Sequence, residues 1–210
     1  MTDLDLAAVN EELKDRSAVE IVQWAAGLGM RCMASTSFSP NSAALLSVVA
    51  EAEVDVPVVW VDSGYNMSDA YRVADTLIDR LPLDYRVYAP KVTAARREAV
   101  FGGIPHPEDD AERFQQFVQE VKLEPFARAV DDLQAQVWIT GIRRHETEFR
   151  KGLDIVSRDN RGLLRVAPLF YWQEADVDAY MAERELPSCK HYFDPTKLDE
   201  KSECGLHTAA

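Results

Sequence analysis

The chain has 210 residues, of which 47% are hydrophobic and 28% charged, and its net charge is −13. This composition is typical of one soluble globular domain, and the acidic balance argues against nucleic-acid or anionic-membrane partners, which require basic surface. No apolar run approaches the roughly 20 residues that span a bilayer. Three widely spaced cysteines do not make a disulfide framework, and the acidic N-terminus has no signal-peptide core. We therefore expect a cytoplasmic protein.

The chain opens with two predicted helices, over residues 6–13 and from Ser17 to about residue 28. Ser17 and Glu20 form a capping-box pattern at the start of the second helix. Neither helix carries residues with evident chemistry. We expect residues 1–29 to form an N-terminal helical segment used for packing or dimerisation.

Strand and helix patterns alternate through the rest of the chain. Strands are predicted over 30–37, 56–61, 85–88, 137–140, 153–156 and 163–166, and helices over 41–53, 68–80, 93–101, 108–132 and 173–184, the fourth of these interrupted near Pro125. This alternation predicts a doubly wound α/β fold with a mostly parallel sheet flanked by helices. We expect residues 30–186 to form a nucleotide-binding α/β domain and residues 187–210 a flexible C-terminal tail.

Polar segments follow three of the predicted strands. The first is a hydroxyl-rich turn leading into a helix, with Ser39 as the expected N-cap, Pro40 at the first helical position and Ser68 as the cap of the next helix. Strand, polar turn and helix N-terminus make an arrangement typical of phosphate sites, although this turn is neither a Walker nor a dinucleotide loop. Ligands of doubly wound sheets bind at the carboxyl ends of strands. We therefore expect one crevice to contain Ser35, Thr36, Ser37, Phe38, Ser39, Asp62, Ser63, Gly64, Gly141, Arg143 and Arg144.

A basic island interrupts the acidic sequence. Between Arg143 and Arg165 there are seven basic and four acidic residues, a net charge of +3, which leaves −16 for the rest of the chain. Such an island favours a small polyanionic ligand over a long one. The alternative is a solvated surface with scattered ion pairs.

The C-terminal segment carries a cysteine in a basic setting. Lys201 lies three residues before Cys204 and His207 three residues after it, and nearby positive charge favours the reactive thiolate. The alternative is a surface cysteine in a frayed terminus. Cys32 is predicted to be a core thiol. Cys189 could join His191, Cys204 and His207 in a zinc site or form a disulfide with Cys204, and the sequence leaves both open.

Together these segments resemble the adenylyl-sulfate and phosphoadenylyl-sulfate (PAPS) reductases of assimilatory sulfur metabolism, members of the adenine nucleotide α-hydrolase-like superfamily. The matching stretches are Ser35-Thr36-Ser37-Phe38-Ser39, Asp62-Ser63-Gly64-Tyr65, Lys122-Leu123-Glu124-Pro125, Thr140-Gly141-Ile142-Arg143-Arg144 with Arg150, Ala167-Pro168-Leu169, and Glu203-Cys204-Gly205-Leu206-His207. They run in family order, and the last is the most specific.

The resemblance implies a thiol-based reduction of PAPS to sulfite and adenosine 3′,5′-bisphosphate. Cys204 is implied as the nucleophile that forms an S-sulfocysteine, and thioredoxin or glutaredoxin as the external reductant. The residues implied to surround the phosphate and sulfate groups are Lys122, Arg143, Arg144, Arg150 and Lys201, with His207 near the thiolate. Members of the family are commonly homodimers.

The resemblance also bears on cofactors and substrate. Relatives with an iron–sulfur cluster carry four ligating cysteines, whereas this chain has three in all and Glu120-Val121 where one pair would stand. A four-cysteine cluster within one chain is therefore excluded by counting, and we expect no bound cofactor or metal. The cluster-free type favours PAPS, with adenylyl sulfate (APS) as the alternative substrate.

Two alternative functions belong to other classes of protein. An ATP pyrophosphatase-type adenylyl transferase of the same superfamily would need Ser-Gly-Gly-x-Asp-Ser in the first loop, where this chain has Ser35-Thr36-Ser37-Phe38-Ser39. A non-catalytic nucleotide-binding protein would have no use for Cys204. Both alternatives are less consistent with the terminal motif than a reductase.

Overall fold

The structure is a computed structural model that describes residues 4–197 and 205–208. Its strands are β1 Cys32–Thr36, β2 Val58–Val61, β3 Tyr85–Tyr88, β4 Val137–Ile139, β5 Val156–Arg158 and β6 Leu164–Val166. Its helices are α1 Leu6–Leu13, α2 Ala18–Ala26, α3 Ser42–Glu51, α4 Ser68–Arg80, α5 Ala94–Phe101, α6 Ala111–Val118, a π-helical turn Gln119–Leu123, α7 Glu124–Leu133, α8 Glu148–Lys151, α9 Glu174–Glu183 and α10 Gly205–Thr208.

The strands form one six-stranded sheet in the order β3-β2-β1-β4-β6-β5. Every neighbouring pair is parallel except β5 and β6, which pair antiparallel. The chain runs outward from β1 to β3 and then returns to place β4 on the other side of β1. The predicted doubly wound α/β fold is therefore confirmed, with its switch point between β1 and β4. None of the described helices is long and apolar enough to cross a membrane.

Both faces of the sheet are covered by apolar side chains. Because successive strand residues point to opposite faces, Ala34 and Val58 pack into the larger cluster with α2 and α3, while Met33 and Val59 pack beneath Phe126 of α7. A parallel sheet buried on both sides needs near-continuous apolar strands. The Val58-Val59-Trp60 run of β2 meets this need and is buried throughout.

The outer edge of β5 is covered by the N-terminal helix. The Asn10 side chain donates to the Val156 carbonyl (2.9 Å) and accepts from the Val156 amide (2.8 Å). The Asn10 side-chain amide thus takes the place of a neighbouring strand. It pairs the backbone N–H and C=O of Val156, which would otherwise be free to pair with another chain. The capping box predicted for α2 is also present, with Ser17 and Glu20 each accepting the other's backbone amide.

Several local predictions are wrong. Ser39 does not cap α3: the N-cap is Asn41, and the Ser39 hydroxyl instead lies 3.0 Å from the Ser42 hydroxyl. Ser68 is the first residue of α4 and makes no capping bond. The strand predicted over 153–156 is displaced to β5, because Asp159 accepts the amides of Arg161 and Leu163 and closes the β5–β6 hairpin further along the chain.

Candidate active site

Three polar loops leave adjacent strands at one edge of the sheet. The segments beginning at Ser37, Asp62 and Thr140 follow the carboxyl ends of β1, β2 and β4. These strands are neighbours, with β1 between the other two. The sheet order therefore brings together the loops that the sequence predicted would share a crevice.

The loop after β1 is a tight turn anchored by an aromatic ring. Phe38 has a left-handed backbone (φ 49°), which is uncommon outside glycine and strains the chain. The Thr36 hydroxyl accepts the Phe38 amide (3.1 Å) and stabilises this turn. The Phe38 ring is 1% exposed and packs edge-on against Trp60 at 4.8 Å. Phe38 was expected to bind substrate, but its ring belongs to the core, and only its backbone lines the turn.

The helix after this turn begins without a side-chain cap among the described residues. Asn41, at the N-cap position, makes no capping bond, and its amide donates to Glu174 Oε1 at 3.0 Å. A helix N-terminus carries amide donors that point outward and a partial positive charge. The start of α3, next to the β1 turn, is therefore suited to an anion.

The loop after β2 is organised by Asp62. Its Oδ1 atom accepts bonds from the Gly64 amide (3.0 Å), the Asn66 side chain (3.1 Å) and the Tyr71 hydroxyl (2.8 Å). Burial and the bond to Asp62 raise the pKa of Tyr71 to about 12, so its hydroxyl stays protonated and donates. Gly64 has a φ of 81°, a conformation that favours glycine. Ser63 accepts the Tyr65 amide at 3.3 Å, so this loop is shaped by its own side chains.

Lys122 lies on the π-helical turn. A π turn inside an α-helix is rare and often occurs at functional sites. Lys122 forms an ion pair with Asp194, and its ammonium also donates to the Thr196 hydroxyl at 3.1 Å. Burial alone would raise the pKa of Asp194, but the Lys122 charge and the bonds from Lys122 and Thr196 outweigh it and lower that pKa. Lys122 is thus held at the crevice by the segment that leads into the C-terminal region.

The arginines predicted after β4 have different surroundings. Arg143 is 4% exposed and pairs with Glu146 (3.0 Å) and Glu174 (2.7 Å). Its Nη1 atom is buried and has no hydrogen-bond partner within the described part of the chain. Arg150 is buried and also pairs with Glu146, whereas Arg144 is exposed. The glutamates hold two guanidinium groups in fixed positions.

The terminal turn α10 lies against the sheet beside this site. The Leu206 carbonyl accepts a bond from Arg161 Nη2 at 2.6 Å. His207 stacks on Trp138, with ring centroids 4.7 Å apart and planes within 7°. Trp138 in turn donates to the Ser35 hydroxyl at 2.8 Å. A short chain of contacts therefore joins the terminal segment to the end of β1.

Four basic side chains act on His207: Arg150, Arg165, Lys122 and Arg161. Burial and these charges together hold the pKa of His207 well below its ordinary value of 6.5. The imidazole is therefore neutral at physiological pH, and its Nδ1 atom is buried with no partner in the described residues. Three of these cations are already paired with acids, Lys122 with Asp194, Arg150 with Glu146 and Arg161 with Asp159, so His207 lies among ordered ion pairs whose basic groups are held in place for an anion.

The structure brings together some of the predicted residues and adds others. Lys122, Arg150 and His207 share one cluster, and Ser35 is joined to it through Trp138. Sequence reasoning missed Arg161, Arg165 and Asp194 as members. Arg161 and Arg165 could have been identified from the sequence, because both belong to the basic island, which extends to the β5–β6 hairpin.

Two predicted residues, Lys201 and Cys204, lie outside the described residues. The other two cysteines are shielded thiols. Cys189 is buried, its thiol donates to the Phe38 carbonyl at 3.4 Å, and burial raises its pKa. Burial raises the pKa of Cys32 to about 11. Neither environment favours a thiolate.

A family model described as the phosphoadenosine phosphosulfate reductase domain matches residues 31–195. The chain belongs to the phosphoadenosine phosphosulfate reductase family. The family predicted from the motifs, and with it the oxidoreductase class, is thus confirmed. The family match covers both the loops of the β1–β4 switch point and the basic island.

Curated relatives of the same family align over most of the chain. The phosphoadenosine 5′-phosphosulfate reductase of a Synechococcus strain is 33% identical, over 96% of this chain and 97% of its own length. The enzyme of that name from a Synechocystis strain is 35% identical, over 89% of this chain and 75% of its own.

Solved structures support the fold. A PAPS reductase from Candida auris, in a phosphate complex, superposes with a TM-score of 0.78 at 20% identity, over 90% of each chain. The FMN adenylyltransferase of Candida glabrata gives a TM-score of 0.58 at 13% identity, over 82% of this chain and 57% of its own. At these identities the likeness shows a shared α/β fold.

Proposed function

We propose that this member of the phosphoadenosine phosphosulfate reductase family reduces PAPS to sulfite and adenosine 3′,5′-bisphosphate, with Cys204 as the nucleophile. One observation carries the proposal. The segment that follows Cys204 directly in the chain packs on the face of the sheet, where His207 stacks on Trp138 and Trp138 donates to Ser35, next to the loop that follows β1. This contact connects the segment next to the Cys204 thiol with the site proposed for the polyanionic substrate.

Electrostatics explain why such a reaction needs this setting. A thiolate approaching a sulfated nucleotide is repelled, by about 4 kcal/mol for two unit charges ~4 Å apart at an effective dielectric constant of roughly 20. Lys122, Arg150 and Arg165 offset part of this repulsion, since Asp194 and Glu146 already pair with the first two. The same charges stabilise the negative charge that develops on the leaving phosphate.

The substrate groups are assigned from the loops. The β1 turn and the Asp62 loop would hold the adenosine part, with Ser35, Thr36, Ser37, Phe38, Ser39, Asp62, Ser63, Gly64 and Gly141 as the lining residues. Lys122, Arg143, Arg144, Arg150, Lys201 and His207 would surround the phosphate and sulfate groups. The uncapped start of α3 supports this assignment, since the N-terminus of a helix offers amide donors to an anion.

The chemistry proceeds in two steps. The Cys204 thiolate attacks the sulfonate sulfur, a sulfur–sulfur bond forms, and the sulfur–oxygen bond to the phosphate breaks, which releases adenosine 3′,5′-bisphosphate. A thiolate of an external dithiol then attacks the Cys204 sulfur and expels sulfite. The second thiol of that dithiol resolves the mixed disulfide, so the dithiol is oxidised by two electrons and Cys204 is regenerated. We assign the dithiol to thioredoxin or glutaredoxin, with no bound cofactor.

The test is sulfite release from PAPS with reduced thioredoxin. We expect Cys204→Ser to bind adenosine 3′,5′-bisphosphate but release no sulfite. Cys32→Ser, which changes a half-buried thiol, is the matched control and should retain turnover. Normal sulfite release by Cys204→Ser would overturn the assignment of the nucleophile.

The choice between PAPS and APS is tested with the same assay. The names of the curated relatives favour PAPS. We expect kcat/KM to fall when the 3′-phosphate is absent from the nucleotide. A value that is equal or higher with APS would instead assign the protein as a cluster-free APS reductase.

A further inference from the structure

The terminal turn α10 is held on the sheet by contacts at three of its residues. Its backbone carbonyl at Leu206 is bound by Arg161, and its imidazole at His207 is stacked on Trp138. At the start of the turn, Gly205 lies close to Leu123 and Val118, where an added Cβ would come within 3.4 Å and 3.5 Å of their side chains. Three separate contacts therefore fix a turn of four residues.

Arg161 is held in place independently of the turn. Its guanidinium pairs with the buried Asp159 carboxylate at 2.8 Å and lies over the Phe126 ring at 4.8 Å and the Trp138 ring at 5.3 Å. Asp159 is itself fixed, because it accepts the backbone amides of Arg161 and Leu163. A preorganised guanidinium loses little conformational entropy when it binds a further acceptor.

Trp138 is equally well fixed. It is fully buried on β4 and contacts Phe126 at 4.9 Å, and its indole N–H is bound by Ser35. The ring therefore presents a fixed surface to His207, and its indole N–H holds it to Ser35 of β1. A shift of the terminal turn cannot be absorbed by rotation of Trp138 without loss of that bond.

We infer that Arg161 and Trp138 are positioning residues: they hold the terminal turn, and through it Cys204, for attack on the bound nucleotide. The second half of this statement rests on the proposed function. In this proposal the docked turn serves attack on the nucleotide and not the later attack of an external dithiol on the sulfonated Cys204. The two residues are thus required for the first step of the reaction and not for the second.

Docking of the turn is tested first, in the full-length protein without nucleotide. Arg161→Lys keeps the positive charge but cannot reproduce the planar guanidinium that bridges Asp159 and Leu206. Loss of one charge-assisted hydrogen bond predicts roughly tenfold faster removal of Leu206 and His207 by a carboxypeptidase. Arg158→Lys, on an exposed arginine of the same hairpin, is the matched control and should be cleaved at the wild-type rate. Equal cleavage of Arg161→Lys and wild type would overturn the docking role.

The two steps are then separated in single-turnover experiments. We expect Arg161→Lys to form the Cys204 sulfonate from PAPS about tenfold more slowly than wild type, while thioredoxin releases sulfite from the preformed adduct at an unchanged rate. Equal slowing of both steps would indicate a general loss of structure and overturn the positioning role. If wild type forms no adduct but Arg161→Lys still shows faster carboxypeptidase cleavage, the docking role stands and the proposed function fails.

Discussion

His207 and Trp138 stack almost in parallel, with planes within 7° and ring centroids 4.7 Å apart. Trp138 belongs to a central strand, whereas His207 lies within three residues of the chain end. The stack therefore ties the terminal segment to a fully buried strand of the sheet. Because Arg150, Arg165, Lys122 and Arg161 all act on His207, the same contact places that segment in the basic cluster.

The docked turn should loosen in mild acid. Burial and four cations lower the pKa of His207 in the docked state below the ordinary value of 6.5 that applies when the turn is released. The released state therefore binds more protons, and docking is fully favourable above pH 6.5 and weakens as the pH falls below it. We expect NMR titration to show a lower pKa for His207 in the protein than in a peptide of residues 200–210. Equal or higher pKa in the protein would contradict the charge environment described for His207.

The Lys122–Asp194 pair should contribute strongly to stability. The Asp194 side chain is 7% exposed and that of Lys122 is 13% exposed. Removing one partner of a buried pair leaves the other charge uncompensated, which typically costs about 3 kcal/mol or more. We expect Asp194→Asn to lower the free energy of unfolding by about this amount in urea titrations, whereas Asp178→Asn, on the exposed side of α9, should have little effect. A loss below about 0.5 kcal/mol for Asp194→Asn would show that the pair is not a structural element.

The same pair predicts a direction for acid denaturation. The pKa of Asp194 is lowered in the folded state, so its contribution is present above its ordinary value of 3.8 and is lost as the pH falls through the lowered folded value. We expect the difference in unfolding free energy between wild type and Asp194→Asn to shrink below pH 3.8. A difference that stays constant from pH 6 down to the acid transition would contradict this.

The sheet edge should depend on Asn10. Both of its hydrogen bonds go to Val156, and each is worth about 1 kcal/mol. We expect Asn10→Ala to lower the unfolding free energy by about 2 kcal/mol, and Asn10→Asp, which sets a carboxylate oxygen against the Val156 carbonyl, to cost at least as much as the alanine variant. Light scattering during refolding should also rise for Asn10→Ala, because β5 is then an open edge. Unchanged stability in the alanine variant would contradict the edge-covering role.

The π-helical turn should matter more for activity than for stability. Pro125 has no N–H to donate, and a proline in a helix clashes with the carbonyl four residues earlier, here Val121. The chain widens instead, with the Glu124 amide bonding the Gln119 carbonyl, and this sets the direction of Lys122. We expect Pro125→Ala to let a regular α-helix form, to change the unfolding free energy by about 1 kcal/mol or less, and to reduce kcat/KM for PAPS. Unchanged kcat/KM would show that Lys122 does not need the wide turn.

The fold could be predicted because its determinants are local patterns. The apolar run of β2 and the spacing of strands and helices imply a parallel sheet, and the bounds of β3, Tyr85–Tyr88, agree with those expected. The placement of the polar loops followed from sheet topology alone. Turns and caps were less predictable, because Ser39, Asn41 and Ser42 are all residue types that favour the N-cap, and Asn41 takes that position.

The composition of the site was only partly predictable. Lys122 and Arg150 were identified from motifs, but Arg161 contributes through a bond to a backbone carbonyl, and no sequence pattern records such a partner. Arg165 was not predicted as a site residue for a different reason. It lies on β6, where a buried arginine is unusual, and the structure places its guanidinium beside Ser157 on the neighbouring strand. Long-range pairings of this kind depend on the fold as a whole.

The role of Cys204 as the nucleophile is tested by intact-protein and peptide mass spectrometry after the reduced protein is incubated with PAPS in the absence of a dithiol. We expect one sulfonate per chain, located on Cys204, absent from Cys204→Ser and removed by reduced thioredoxin with release of sulfite. A sulfonate on Cys32 or Cys189 instead, or a wild-type protein that releases sulfite with no adduct on Cys204, would contradict this role.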